Sequence, residues 1–151
     1  MSIQEKVNNE IKLSMKEKNV DKLAALRSVK SAILLELTKD GKTNMSDEIA
    51  IQIISKLVKQ RKESASIFKS KNRLDLEKEE LSQIKYLEVY LPKQLSEDEI
   101  KEYIRTKINE IDNVSLKDMG RLMGMLMKEL SGKADGKVIS NILKSKLSEK
   151  D

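Results

Sequence analysis

The chain contains no cysteine and no histidine. The first absence removes disulfides, thiolate nucleophiles and cysteine-ligated zinc. The second removes the imidazole base, the Ser-His pair and histidine metal ligation. Chemistry would have to rest on lysine, carboxylates or tyrosine, so the residues disfavour a self-contained enzyme, with no catalytic constellation, metal site or cofactor expected. Among 151 residues proline occurs once, glycine five times, tryptophan never, and aromatics amount to 3%. A sheet protein draws on β-branched and aromatic residues and on more turn punctuation, so the composition predicts an all-α chain. The longest apolar runs, such as Ala32-Ile33-Leu34-Leu35, reach four residues, far short of the ~18 of a membrane span. The opening M-S-I-Q-E-K-V lacks the apolar centre of a signal peptide. A cytoplasmic protein with no membrane association is the expectation.

What is abundant is charge, 36% of residues with a net value of +5. Residues 1–91 hold 18 basic against 14 acidic side chains, and residues 92–151 hold 12 against 11. Between Lys56 and Arg73 seven basic residues face only Glu63, a local excess that attracts nucleic acid or simply makes a solvated face. At 100° per residue Lys59, Lys62, Lys69 and Arg73 fall within about 80° of one another on a helix, with Lys56 alongside.

Periodicity predicts seven helices in two groups. Ser2-x-x-Glu5 reads as a capping box ahead of Ile3, Val7, Ile11 and Met15. Asp21 caps a second helix with Leu23, Leu26, Val29, Ile33 and Leu37 inward, and Gly41 supplies its left-handed stop. Ser46 caps a third, running through Ile49, Ile53 and Leu57 to Phe68. Asn72-Arg73 breaks it before a fourth with Leu81, Ile84, Leu87 and Leu91, which Pro92 ends. Ser96-x-x-Glu99 opens a fifth with Ile100, Ile104 and Ile108, and Asp112-Asn113 makes a turn. Ser115-x-x-Asp118 opens the sixth, Gly132 closes it, and Asp135-Gly136 precedes a seventh with Val138, Ile139, Ile142, Leu143 and Leu147. The break at Pro92 divides a larger amino-terminal module, 1–93, from a three-helix module, 94–151.

The segment from Asp118 to Gly136, D-M-G-R-L-M-G-M-L-M-K-E-L-S-G-K-A-D-G, carries four of the five glycines and four of the seven methionines. On a wheel Leu116, Met119, Met123, Leu126, Met127 and Leu130 predict a core face, with methionine as gap-filler. Gly120 and Gly124 flank it, and Lys117, Arg121 and Lys128 lie beyond. A glycine inside a helix costs about 1 kcal/mol relative to alanine. Two explanations stay open: close packing of a neighbouring helix, or bare backbone beside cations that lets a bulky polyanion approach. Gly132-Lys133 is no P-loop, because Ser or Thr does not follow the lysine and no strand precedes it. Lys133 with the start of the last helix is a candidate for a single phosphate. Asp75, Glu77, Glu79 and Glu80 open a helix, where negative charge complements the dipole, so they call for no metal.

Several blocks together resemble the YqeY family: L-R-S-V-K-S-A-I from Leu26, K-Q-R-K-E-S-A-S-I-F with N-R-L-D-L between Lys59 and Leu76, Y-L-P-K-Q-L-S from Tyr90, D-M-G-R-L-M-G from Asp118, and G-K-A-D-G from Gly132. They run through nearly the whole chain in order. The resemblance implies two all-helical modules sharing their fold with the tail of the B subunit of glutamine-dependent aminoacyl-tRNA amidotransferases. In that machine the tail helps to hold tRNA, while an amidase and an ATP- and magnesium-using cradle perform the chemistry. Nothing here is similar to either. The family's association with carbon–nitrogen ligase activity, glutamine serving as amido-N-donor, is thus implied by homology alone. A tRNA-binding accessory module is the first reading, beside an amidotransferase or an aminoacyl-tRNA synthetase. Its candidate RNA-binding residues are Lys59, Lys62, Lys69, Arg73, Lys117, Gly120, Arg121, Gly124, Lys128 and Lys133. Phe68, Tyr86, Tyr90 and Tyr103 are too few for a single-strand stacking platform, so phosphate and shape contacts on folded RNA fit better. A helical protein–protein adaptor is the alternative, and an independent amide-forming enzyme comes last.

Overall fold

The computed structural model describes residues 1–150; residue 151, the last of the expected carboxy-terminal module, lies outside them. The described residues form seven α-helices and no strand: α1 (Ile3–Glu17), α2 (Val20–Asp40), α3 (Asp47–Ser70), α4 (Leu74–Glu88), α5 (Glu97–Asn109), α6 (Met119–Glu129) and α7 (Gly136–Lys150). The all-α class expected from composition is the class observed. The helices sort into two compact units, one spanning Met1–Leu91 and one from Pro92 onward. No helix among the described residues is long and apolar enough to cross a membrane.

In the first unit α3 and α4 form a helical hairpin, α2 packs on both, and α1 packs on α2 and α3. The capping box at Ser2 and Glu5 is present, and the Ser46 hydroxyl accepts the Ile49 N–H. The second helix starts two positions earlier than expected. Asn19, not Asp21, is its cap, accepting the Lys22 N–H at 3.2 Å, while Asp21 Oδ2 accepts a hydrogen bond from the Ser82 hydroxyl at 3.2 Å. Ile3, Val7 and Ile11 are buried as expected, but Met15 is 53% exposed and Ser14 is fully buried in its place. Four-residue steps advance 400°, so each drifts 40° off the face; by Met15 the drift is about 120°, whereas Ser14 returns to within about 20° of Ile3. The Ser14 hydroxyl avoids a burial penalty by donating to the Glu10 carbonyl at 2.7 Å.

The face of α3 is likewise turned by one residue from the expected one. Ala50, Ile54, Val58 and Ala65 are buried, Ile53 and Leu57 are partly buried, and Ile49 is 40% exposed. Apolar residues between Ile49 and Val58 span about 200° of the helix; the four-residue step from Ile49 follows one edge of that arc, whereas the buried residues run from its middle to the other edge. On α4, Ile84 and Leu87 are buried but Leu81 is exposed, and the helix stops at Glu88, before Pro92. Arg61 ties three helices together. Its guanidinium donates to Gln83 Oε1 on α4 and to Ser28 Oγ on α2, both at 3.0 Å.

In the second unit α5 and α6 both pack on α7. Ile100, Ile104 and Ile108 meet Leu122, Leu126, Leu130, Ile139, Leu143 and Leu147 in one core. The expected face of α6 is partly corrected. Leu116 and Met127 are 42% and 44% exposed, and Leu122, left out of the expected face, is 1% exposed. The capping box at Ser115 and Asp118 opens a 3-10 turn, Leu116–Asp118, and the α-helix follows it. A wheel that runs back through that turn rotates the face away from Leu122, because 3-10 turns advance by more than 100° per residue. A side-chain triad fastens α5 to the end of α6. The Tyr103 hydroxyl and Lys107 Nζ both donate to the Glu129 carboxylate, and Lys107 sits 5.6 Å from the Tyr103 ring centroid.

Candidate nucleic-acid interface

The flank of α6 is the most exposed concentration of the candidate residues. Gly120, Arg121, Gly124 and Lys128 are all exposed, as is Lys117 in the preceding turn. A Cβ built on Gly120 or Gly124 meets nothing within 4 Å. Close packing by a neighbouring helix of the same unit, one of the two explanations for these glycines, is therefore not what they serve. Arg121 reaches back to Asp118, Nη2 to Oδ1 at 3.1 Å, while the other Asp118 oxygen accepts the Ser115 N–H at 2.9 Å. The arginine side chain stays 66% exposed in this pair, and a solvent-screened pair of this kind is readily exchanged for a phosphate. Lys117 and Lys128 make no ion pair among the described residues.

The basic stripe of α3 is less available than its sequence implies. Lys59, Lys62 and Lys69 lie on α3 and are exposed, but Arg73 does not share their helix. α3 ends at Ser70, Asn72 turns left-handed at φ 56°, and Arg73 is the amino-terminal cap residue of α4. Its guanidinium pairs with Asp75 at 3.3 Å and, through that bond first, holds the Asp75 carboxyl below the usual carboxylate range. Lys62 pairs with Glu88 of α4 at 3.3 Å, a neutralising acid far from it in sequence. Arg61, counted in the same basic excess, is the half-buried tie to α2 and α4.

Lys133 is exposed, but the turn around it is already in use. Its carbonyl accepts the Leu95 N–H at 2.9 Å, and the Gly132 carbonyl accepts Gln94 Nε2 at 2.6 Å. Gly132 is left-handed, φ 75°, but it does not end α6 as expected: the helix already stops at Glu129, with Leu130 as its cap. The start of α7 is occupied by a carboxylate: Asp135 Oδ1 accepts the Lys137 N–H at 3.2 Å. An incoming phosphate would compete with that cap for the same N–H group. Gln94 and Leu95 belong to the L-P-K-Q-L block and Gly132-Lys133 to the G-K-A-D-G block, so two separate blocks of the sequence meet here. Among the described residues no group of His, Cys, Asp or Glu is placed to hold a metal ion.

The chain matches the family of Yqey-like proteins over residues 4–147. It belongs to the YqeY family. Fifty-one residues, 34% of the chain, are 43% identical to part of the E subunit of glutamyl-tRNA(Gln) amidotransferase from Methanococcus maripaludis strain C5. The corresponding protein of strain S2 matches to the same extent. The match spans 8% of the length of each of these relatives, so most of the amidotransferase protein has no counterpart in the alignment with this YqeY chain.

Proposed function

We propose that this YqeY protein is an RNA-binding accessory module resembling an amidotransferase tail, and that it takes structured RNA of the tRNA kind on the exposed flank of α6. The observation that carries the proposal is the open space over Gly120 and Gly124. Two helix-interior glycines cost about 1 kcal/mol each relative to alanine, and no contact within the chain accounts for them. They lie among Lys117, Arg121 and Lys128, so the uncovered backbone is also the positively charged approach. Phosphate contacts from such cations give affinity without reading sequence, as suits a module that holds an RNA while chemistry proceeds elsewhere. Lys59, Lys62, Lys69, Arg73 and Lys133 contribute secondary contacts. Carbon–nitrogen ligation with glutamine belongs, in this reading, to a partner amidotransferase. Gly124→Glu tests it: tRNA binding should weaken while the melting temperature holds or rises, because the space is open and glutamate is the better helix former.

A second reading, a protein–protein adaptor, is favoured by one observation. Leu116 and Met127 are exposed in the same part of the structure, and small residues with an apolar rim suit a partner's helix. A partner retained on the wild-type protein at high salt, with no RNA in the complex, would select this reading over the first.

A further inference from the structure

Half of the chain's four aromatic side chains line one cleft in the first unit. It is an open cleft of about 390 Å³ bordered by Lys6, Asn9 and Glu10 of α1, Lys22 of α2, Tyr86 of α4 and Tyr90 just beyond it. That volume falls within the ~300–1,000 Å³ typical of small-molecule sites. We infer that this cleft receives a single nucleotide, its base against the Tyr86 and Tyr90 rings and its phosphate toward Lys6. The cleft belongs to the first unit alone and does not depend on the proposal made for α6.

Three features carry the assignment. Ring surface is scarce in this chain, and its collection around a cleft provides the flat apolar area on which a base stacks. The polar groups are of both kinds. Tyr90 borders the cleft and its hydroxyl has no hydrogen-bond partner among the described residues, so a donor is available to a ligand there. Burial, and then the Glu10 carboxylate, push the Tyr90 phenol up to about 12, so it stays protonated and able to donate. Glu10 binds Lys22 through Oε2 at 2.7 Å, leaving its second oxygen for a base N–H. That bond holds Lys22 above its usual range, so the pair remains ionised. Charge is the third feature. Lys6 and Lys22 outnumber Glu10, and Lys6 makes no ion pair among the described residues, so the cleft keeps a cation for an anionic group. An aliphatic ligand would strand the Tyr90 and Glu10 groups. An inorganic anion would leave the ring surface unused and meet the Glu10 charge.

The nucleotide can be free or part of an RNA strand, and the experiment separates the two. Aromatic-ring proton signals of the full chain would be followed by NMR as GMP, AMP, CMP and UMP are added in turn, then ribose 5-phosphate, then a short unstructured RNA. Tyr86 and Tyr90 should shift while Tyr103, in the other unit, stays still. Ribose 5-phosphate, lacking the base, should do little. A response to the mononucleotides identifies a free nucleotide as ligand; a response to the RNA alone identifies a nucleotide within a strand. Tyr90→Leu and Lys6→Glu should each weaken binding about tenfold, the scale of one base stack. Lys6 is exposed, so its variant carries the test if Tyr90→Leu fails to fold. Shifts as large with ribose 5-phosphate as with nucleotides, no shift with any ligand, or unchanged affinity in Lys6→Glu would overturn the assignment.

Discussion

Replacing Gly120 and Gly124 together by alanine should make the protein more stable and a poorer RNA binder. Both residues lie inside α6 with φ outside the left-handed region, and an added Cβ meets nothing within 4 Å at either position. The substitution therefore costs no packing and returns the helix propensity that glycine forfeits, about 0.4–1 kcal/mol per site. The pair together should contribute about 1–2 kcal/mol. At about 2–4 °C per kcal/mol for a chain of this size, the melting temperature should rise by roughly 2–8 °C, read by circular dichroism at 222 nm. If the bare backbone exists so that an RNA phosphate can come close, two methyl groups on that surface should hold it off. Loss of one such contact, about 1 kcal/mol, corresponds to roughly fivefold weaker tRNA binding. The two effects have opposite signs, and a purely structural role for the glycines cannot produce that combination. A lower melting temperature would show that something does pack against the flank. A stabilised variant with undiminished tRNA affinity would refute the approach surface itself.

Three further outcomes follow from the same contacts. Lys69→Glu should weaken tRNA binding and flatten its dependence on salt by about one unit of slope, and it should do so more cleanly than Lys62→Glu, which also repels Glu88; equal slopes in wild type and Lys69→Glu would remove α3 from the interface. Arg61→Ala takes the donor from Gln83 Oε1, leaves Ser28 with only its bond to the Ala25 carbonyl and loses packing between three helices, so it should destabilise the first unit by about 1–3 kcal/mol in urea titration; a change below ~0.5 kcal/mol would show that the tie is incidental. Bonds from Tyr103 first, and then Lys107, hold the Glu129 carboxyl below its ordinary value of 4.5. A carboxylate lowered in the folded state stabilises above that ordinary value and loses the effect as pH falls through the folded one. The melting-temperature gap between wild type and Glu129→Gln should thus be full at pH 7 and close below pH ~4.5; a gap independent of pH would mean the triad contributes only shape.

What the sequence disclosed most reliably was local. Capping boxes at Ser2, Ser96 and Ser115, and the left-handed stop at Gly41, depend on atoms within a few residues of each other. Turn chemistry at Asn72 and Asn113 is equally local, and both have positive φ. Faces were harder to read. The Met15 and Leu116 assignments failed because a fixed step was carried past the point where drift or a 3-10 turn invalidates it, and α3 because the step began at one edge of a wide apolar arc instead of at its middle. Lys18 adopts φ 56° without glycine or asparagine to announce it. Least legible were pairings between distant residues: Lys62 with Glu88, Arg61 with Ser28 and Gln83, Gln94 with Gly132. Each requires the tertiary fold to exist before the side chains can meet.

That last class bears on which charged surface is the better candidate for the proposed RNA contact, and it reverses the order that counting gives. By composition the first 91 residues are the basic ones and the rest almost balanced. Yet the excess on α3 is partly spent inside the fold, with Arg61 holding helices together, Lys62 facing Glu88 and Arg73 facing Asp75. A cation already paired must break that pair before it can take up a phosphate, so its net gain is small. On the α6 flank only Arg121 is paired, with Asp118 one turn away and in an exposed position. Lys117 and Lys128 need break no ion pair, and the backbone between them carries no Cβ at Gly120 or Gly124 to hold a polyanion away. Closeness of approach, more than the amount of charge, is therefore what favours the less basic unit as the candidate site.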